Sequence, residues 1–453
     1  MFGGFAALGF IVSAGLFLFT DSGKWYLKSV VLFILCIILS IQVYASGSRA
    51  SWIAALIAIA YLLFRLIFPS LRGGTTKQSR ILLLPLVLCL LVSAVFFSNY
   101  LYHLKKDSAD GRLLIARVSM GMVKDAPVFG QGISGFRAEY LNYQADYFQA
   151  HLDSPYKVYA DDVETPFNEL LKILVEQGIV GLLLFGCLLY FLFETQSSLR
   201  TARNEAGSNP DLSKNPQSTI LQSGFLFMLI FGLFSYPSDK HPFVALFVFI
   251  LAGLSRSRNP VFTIRLQKMN FYRIPLLLAI CIIPLIISAN AYSYGKSCLR
   301  WNRALADFAP DKEEPFLQLK ALQPELENNP VFLTTYGKML SFGKHYPEAT
   351  IVLEKAVKRL PLSFSCIELG KSYEAEGFPE KALACWNRAE LTVPSRFTPL
   401  YLTMKLYFKN KEYDKAKDYA RQILTKKIKI DNPEIDEMKR EAKDILNFHP
   451  PPE

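Results

Sequence analysis

Arginines and carboxylates beside long apolar runs are the first candidates for chemistry, because a chain bound for lipid keeps such groups at a cost. Arg49 stands in Ser46-Gly-Ser-Arg-Ala-Ser51, between two apolar stretches. It reads either as an interfacial arginine snorkelling to lipid phosphate or as an anion clamp at the mouth of a helix bundle. Further along, Asp110-Gly-Arg-Leu-Leu-Ile-Ala-Arg117 supplies Arg112 and Arg117. Five residues apart on one helix, they diverge by about 140°, so they share one phosphate only if the backbone breaks between them. The next stretch, through Phe136, holds Pro127, Gly130, Gly132 and Gly135. Its backbone N–H groups could approach a ligand, or it is a plain connecting turn.

An aromatic tract follows: Phe136, Tyr140, Tyr143, Tyr147, Phe148, Tyr156 and Tyr159. Such rings stack on sugars or form an interfacial belt, and the residue types do not separate the two. Asp161, Asp162, Glu164, Asn168, Glu169 and Glu176 then lead into an apolar run. Glu169 and Glu176 are seven apart and share a helix face with Lys172, which allows a structural ion pair as well as a functional role. Histidines show no metal-ligand spacing, and HExxH, P-loop and GxSxG motifs are absent from the sequence. Metal and cofactor chemistry therefore has no sequence support.

The elements that must position these groups are helices in a membrane. Runs at about 2–20, 26–46, 50–69, 81–99, 170–194, 218–236, 242–256 and 274–293 approach the ~20 residues a spanning helix needs, the seventh being short. The first, with no basic flank, reads as a span and not as a cleavable leader. The net charge of +11 fits topology better than nucleic acid, since Lys and Arg gather in the short loops Leu71–Arg80, Gln196–Gln217 and Ser255–Arg273. Those loops fall on one side, which the positive-inside rule makes cytoplasmic. Loop 100–168, the Ser235–His241 loop and the C-terminal region then lie outside. An outside N-terminus without a basic flank raises the expectation that further spans precede it.

The last third is rich in Lys and Glu. From Asn328 a period of 33–34 residues appears at Ala349, Ala382 and Ala416, with Pro361 and Pro394 closing units and Gly337 and Gly370 at helix crossings. This is the tetratricopeptide pattern, a binding surface that implies a protein partner without naming it. A Cys366–Cys385 disulfide has no support from motif or spacing. The expected fold is all-α: a polytopic transmembrane bundle of about eight spans (1–293) with extracytoplasmic loop 100–168, a helical lead-in (294–327), and a tetratricopeptide-like solenoid (328–453).

The runs Ser48-Arg-Ala-Ser-Trp52, Gly111-Arg112, Asp125 to Phe136, and Asn168 to Gly181, with Tyr236-Pro237 beyond them, resemble the O-antigen ligase/polymerase family of bacterial inner membranes over about residues 40–256. The resemblance implies transfer of a glycan from a polyprenyl-diphosphate carrier to an acceptor hydroxyl at the periplasmic face, without nucleotide or metal. It carries over Arg49 and Arg112 as the diphosphate clamp, with Arg117 as a further anion contact. Gly130, Gly132, Asn168, Glu169, Tyr140 and Tyr143 are expected along the substrate path. Many relatives have histidine directly before the asparagine; here the residue is Phe167, leaving Glu164, then Asp162, as the nearest general base. The expected partners are a polyprenyl-diphosphate-linked glycan, membrane lipids, and an acceptor lipid, glycan or protein. The alternatives are a protein O-oligosaccharyltransferase of the same family, or a non-enzymatic membrane scaffold or transport component recruiting partners through its repeats.

Overall fold

The computed structural model describes residues 1–19, 26–67, 106–206, 216–256, 270–307, 313–429 and 432–449. Among them the chain is all-α, with 17 α-helices and no strand. The expected span at 81–99 and the basic loop Leu71–Arg80 lie outside the described residues. Two compact units emerge: Met1–Arg112 with Met122–Ile133 and Thr165–Val261, and Leu113–Gly121 with Ser134–Glu164 and Phe262–Glu453.

The first unit contains α1 (Phe2–Leu18), α2 (Tyr26–Ala45), α3 (Arg49–Ile67), the start of α4 (Lys106–Asp125), α6 (Glu169–Ala206), α7 (Pro216–Leu233) and α8 (His241–Arg256). Helix α1 is rich in Gly and Ala for a packing reason. A Cβ at Gly4 would meet the Phe231 and Phe243 rings at 2.8 Å, and one at Gly15 would meet Ile220 at 2.6 Å. Small residues let apolar helices approach where no water drives them together. Tyr61 adds a hydrogen bond to Gln222 Oε1 at 2.8 Å, tying α3 to α7. Leu27–Ala45 and Glu169–Tyr190 are long and apolar enough to cross a membrane, while α1, α7 and α8 are shorter apolar helices. Leu27, Ile41, Leu183, Leu184 and Phe249 project outward, as lipid-facing side chains do.

The second unit pairs α5 (Gly135–Ala150), from the long loop, with the C-terminal helices. These are α9 (Asn270–Ala306), α10 (Glu313–Leu326), α11 (Pro330–Phe342), α12 (Tyr346–Arg359), α13 (Ser363–Ala375), α14 (Pro379–Thr392), α15 (Thr398–Lys409), α16 (Tyr413–Thr425) and α17 (Pro433–Asn447). Helices α11 and α12, α13 and α14, and α15 and α16 pack as successive pairs. Gly337 leaves room for Leu353, whose Cγ would lie 2.5 Å from an added Cβ; Gly370 does the same for Trp386. Ala349, Ala382 and Ala416 are fully buried at the crossings. Cys366 and Cys385 are free thiols.

Two features run across the divisions drawn from the sequence. Helix α9 runs unbroken from the apolar 274–293 run to Ala306, so the expected break at 293 falls inside one helix. The loop segment 134–164 belongs with the C-terminal helices and not with the apolar ones. The reason is a set of polar ties. Gln144, fully buried, donates through Nε2 to the Asp161 carbonyl at 3.0 Å and the Thr392 carbonyl at 2.6 Å. Arg388 reaches Asp146 at 2.9 Å and the Asn142 side chain at 2.9 Å.

Near this junction Lys426 donates to the Arg396 carbonyl at 2.7 Å. Burial lowers its pKa to about 8, against the attraction of Glu390 and with the help of Lys157. A lowered lysine stabilises the fold fully only above the unfolded value, and the contribution is lost as pH falls through about 8. Raising the pH from 7.5 to about 10 is therefore expected to increase the melting temperature of the wild type more than that of Lys426→Met, by roughly 2–4 °C. Parallel melting curves for the two proteins would contradict this.

Candidate functional site

The first unit places two cations together at the start of a helix. Gly47 takes φ +60°, turning the chain before α3, and Ser48 Oγ accepts from the Ser51 N–H at 3.4 Å as a cap. Arg49 opens the first turn of α3. A cation there opposes the helix dipole, whose positive end favours anions. Arg112, on α4, lies close enough for the Arg49 charge to act on it. Its pKa is lowered first by loss of surrounding water and second by Arg49. Arg49, in the first turn of α3, and Arg112, on α4, thus lie within electrostatic reach of one another.

Phe167 sets the next contact. The Arg112 guanidinium lies over its ring at 5.5 Å, and Tyr236 meets that ring edge-on at 5.2 Å. Lys240 in turn lies over Tyr236 at 5.5 Å. Phe167 holds φ +54°, a conformation costly for a bulky non-glycine residue and commoner for Asn, Asp or His. Phe167 is thus held in a strained backbone directly beneath Arg112.

Of the two readings of the glycine-rich stretch, ligand-approaching loop or connecting turn, the hydrogen bonds describe a turn joined to a helix. Gly130 donates to the Ala126 carbonyl at 3.0 Å, Gln131 to Val175 at 2.8 Å and Gly132 to Glu176 at 3.0 Å. In return Ile179 and Val180 donate to Pro127 at 2.9 Å and Val128 at 3.2 Å. Helix α6 is kinked at Gly178, at φ +64°, and the turn occupies the notch. A Cβ at Gly130 would stand 2.4 Å from the Glu176 carbonyl carbon, and one at Gly178 2.3 Å from the Val128 oxygen. These N–H groups are committed to a joint between turn and helix.

The residues at the head of α6 are also structural partners. Asn168 Oδ1 caps the helix by accepting from Leu171 N–H at 3.0 Å. Glu169 accepts from Ser238 N–H at 2.8 Å and Ser238 Oγ–H at 2.7 Å. Lys172 pairs with Asp239, not with Glu169 as the shared helix face suggested. Together these contacts hold the 237–239 turn, and with it Tyr236 and Lys240.

In the second unit, Tyr140 is fully buried and donates to Gln144 Oε1 at 2.9 Å. This core position takes it out of the substrate path. Tyr143 is half-buried beside Gly121. Glu164 pairs with Arg137 at 2.8 Å, and both stay solvent-accessible. Asp162 is held by Arg396 at 2.7 Å and by Ser363 N–H at 2.8 Å. Burial raises its pKa against those two partners. It anchors the loop; Asp162 and Glu164 each have an arginine partner, Asp162 the more enclosed of the two. Arg117 lies on the same helix as Arg112, but its partners are phenols. It stands over Tyr156 at 4.9 Å, and hydrogen bonding to Tyr147 is the leading cause that raises its pKa.

Residues 31–186 match the O-antigen ligase family. The match spans about a third of the chain. No curated protein and no solved structure matches the chain. The O-antigen ligase stretch contains Arg49, Arg112, Phe167, Asn168 and the whole glycine joint; it ends before Tyr236, Lys240 and the paired helices. The match supports glycosyl transfer of the O-antigen ligase kind and association with a membrane. Sequence reasoning missed Lys240 and the Phe167–Tyr236 pair. Tyr236-Pro237 was the available signal, but its partner lies 69 residues away from the sequence neighbourhood that would have revealed it, as Glu169 and Ser238 show.

Proposed function

We propose that this chain is a metal-independent glycosyltransferase that moves a glycan from a polyprenyl-diphosphate carrier to an acceptor hydroxyl at the periplasmic face of a bacterial inner membrane. The observation that supports the proposal is a match to the O-antigen ligase family over a stretch in which Arg49, opening α3, lies within electrostatic reach of Arg112, itself over the Phe167 ring. In the reaction the acceptor oxygen forms a bond to the anomeric carbon while the bond from that carbon to the diphosphate breaks. The electron pair leaves on the diphosphate, and the acceptor proton passes to a base. Fixed guanidiniums meet the growing negative charge in place of a divalent cation, because their planar fork suits phosphate and their charge persists at any relevant pH. Charges fixed in advance spare reorganisation as the bond breaks.

The polytopic bundle and its orientation belong to the same proposal. That loop 134–164 shares one compact unit with the C-terminal helices supports an orientation with both outside, and the basic loops of the sequence support a cytoplasmic opposite side. The three helix pairs, with glycine or alanine at each crossing, are assigned as tetratricopeptide-like repeats. The acceptor is a lipid, a glycan or a protein. One feature favours protein: a cavity of about 490 Å³ lined by Glu374, Lys405, Phe408, Lys409, Glu441 and Phe448, among others, whose mixed apolar and charged walls suit a peptide. The test is transfer by the purified full-length protein from a polyprenyl-diphosphate-linked glycan in the presence of EDTA. Product formation is expected; transfer that depends on added magnesium would reject the metal-independent mechanism.

A further inference from the structure

The second unit holds a cation whose charge the structure does not neutralise. Arg117 is exposed, and its interaction partners are the phenols of Tyr147 and Tyr156; among the described residues no carboxylate pairs with it. The surroundings fix its position. Tyr147 stacks on His151 at 4.5 Å with ring planes 20° apart, and its hydroxyl lies 3.5 Å from Ser154 Oγ. Ser154 Oγ also accepts from Tyr156 N–H at 3.3 Å, which caps the short turn Pro155–Tyr159 and sets the Tyr156 ring. Helix α5, which carries Tyr147 and His151, is itself anchored. Its other face buries Phe136, Tyr140, Gln144 and Phe148, and α14 packs against it.

We propose that Arg117, Tyr147 and Tyr156 form a subsite for a saccharide bearing a carboxylate or phosphate. The proposal rests on the glycan-transfer reading and adds the class of sugar. Flat aromatic faces take the C–H face of a pyranose ring, while the guanidinium takes the anionic substituent as a bidentate partner. The Ser154 and Tyr147 hydroxyls supply neutral hydrogen bonds to ring hydroxyls. A guanidinium already seated over the Tyr156 ring loses little freedom when the ligand arrives. Arg117 is thereby assigned to the acidic sugar and not to the diphosphate.

The test is titration of the full-length, detergent-solubilised protein with tetragalacturonate, with uncharged maltotetraose and with inorganic phosphate. Wild type is expected to bind the acidic tetrasaccharide at least tenfold more tightly than either control. Arg117→Gln keeps a donor for the phenols but removes the charge, and is expected to weaken that binding by about 10- to 100-fold. Arg117→Lys is expected to recover part of the loss. No preference for the acidic saccharide in wild type, equal affinity for inorganic phosphate, or unchanged binding by Arg117→Gln would each overturn the proposal. The transfer assay with Arg112 variants reports separately on the glycan-transfer reading, so either can fail alone.

Discussion

Replacing Arg112 with alanine is expected to lower kcat for glycan transfer by about 10²- to 10³-fold, the usual cost of deleting one preorganised charge-stabilising donor. Arg112 lies where the Arg49 charge reaches it and over the Phe167 ring, so its removal takes away transition-state stabilisation and not a core contact. Arg49→Ala is expected to act to a similar degree. The double variant should lose less than the product of the two, because groups that act on one leaving group are not additive. Arg112→Lys should recover only part, since an ammonium lacks the bidentate fork. Steady-state transfer assays on the purified variants, with circular dichroism to verify folding, decide this. Full activity in Arg112→Ala would remove that residue from the clamp.

Gly178→Ala is expected to have the second largest effect, without any contact to substrate. An added Cβ would stand 2.3 Å from the Val128 carbonyl oxygen, and the residue sits at φ +64°. Both obstacles are backbone, so no side chain can move aside. The combined cost of overpacking and left-handed strain is about 3 kcal/mol. Gly130→Ala meets the Glu176 backbone from the other side of the joint, at 2.4 Å and φ +70°, and should cost about as much. Gly132→Ala provides the comparison: φ is +89° but nothing lies within 4 Å of the added atom, so strain alone applies, about 1 kcal/mol. Thermal unfolding of the three variants gives the order, and a Gly132 variant as damaged as the Gly178 variant would contradict the joint.

The apolar runs mark their helices plainly in the sequence because hydropathy is a local property, and α1, α2, α3, α7 and α8 lie where those runs predict. The small residues at 337, 370, 349, 382 and 416 were legible for a related reason: a fixed period exposes a repeated packing need. What escaped was set by distant partners. Nothing near Gly130 in the sequence reveals that its strand of turn docks in a kink at Gly178. Tyr140 and Tyr147 carry the same ring on one helix, yet Tyr140 is core and Tyr147 stacks on a half-open edge; only the placement of α14 separates them. Asp162 looked like a base and is an anchor, because Arg396 stands 234 residues further along the chain. The continuous α9 likewise hid a boundary that composition had drawn near 293.

The proposed site draws on unlike parts. Arg49 comes from a helix start, Arg112 from the loop helix, and Phe167 from a strained residue just before α6. Glu169 and Asn168 do not need to touch substrate to matter, since they fix the helix end and the turn that carries Tyr236 and Lys240.

The most direct measurement is the equilibrium binding of sugar-free polyprenyl diphosphate to the full-length protein in EDTA, comparing wild type with the Arg49→Ala/Arg112→Ala double variant. Binding by wild type and at least 100-fold weaker binding by the double variant is the predicted result; equal affinity in the two proteins would contradict the assignment of these arginines to the carrier's diphosphate.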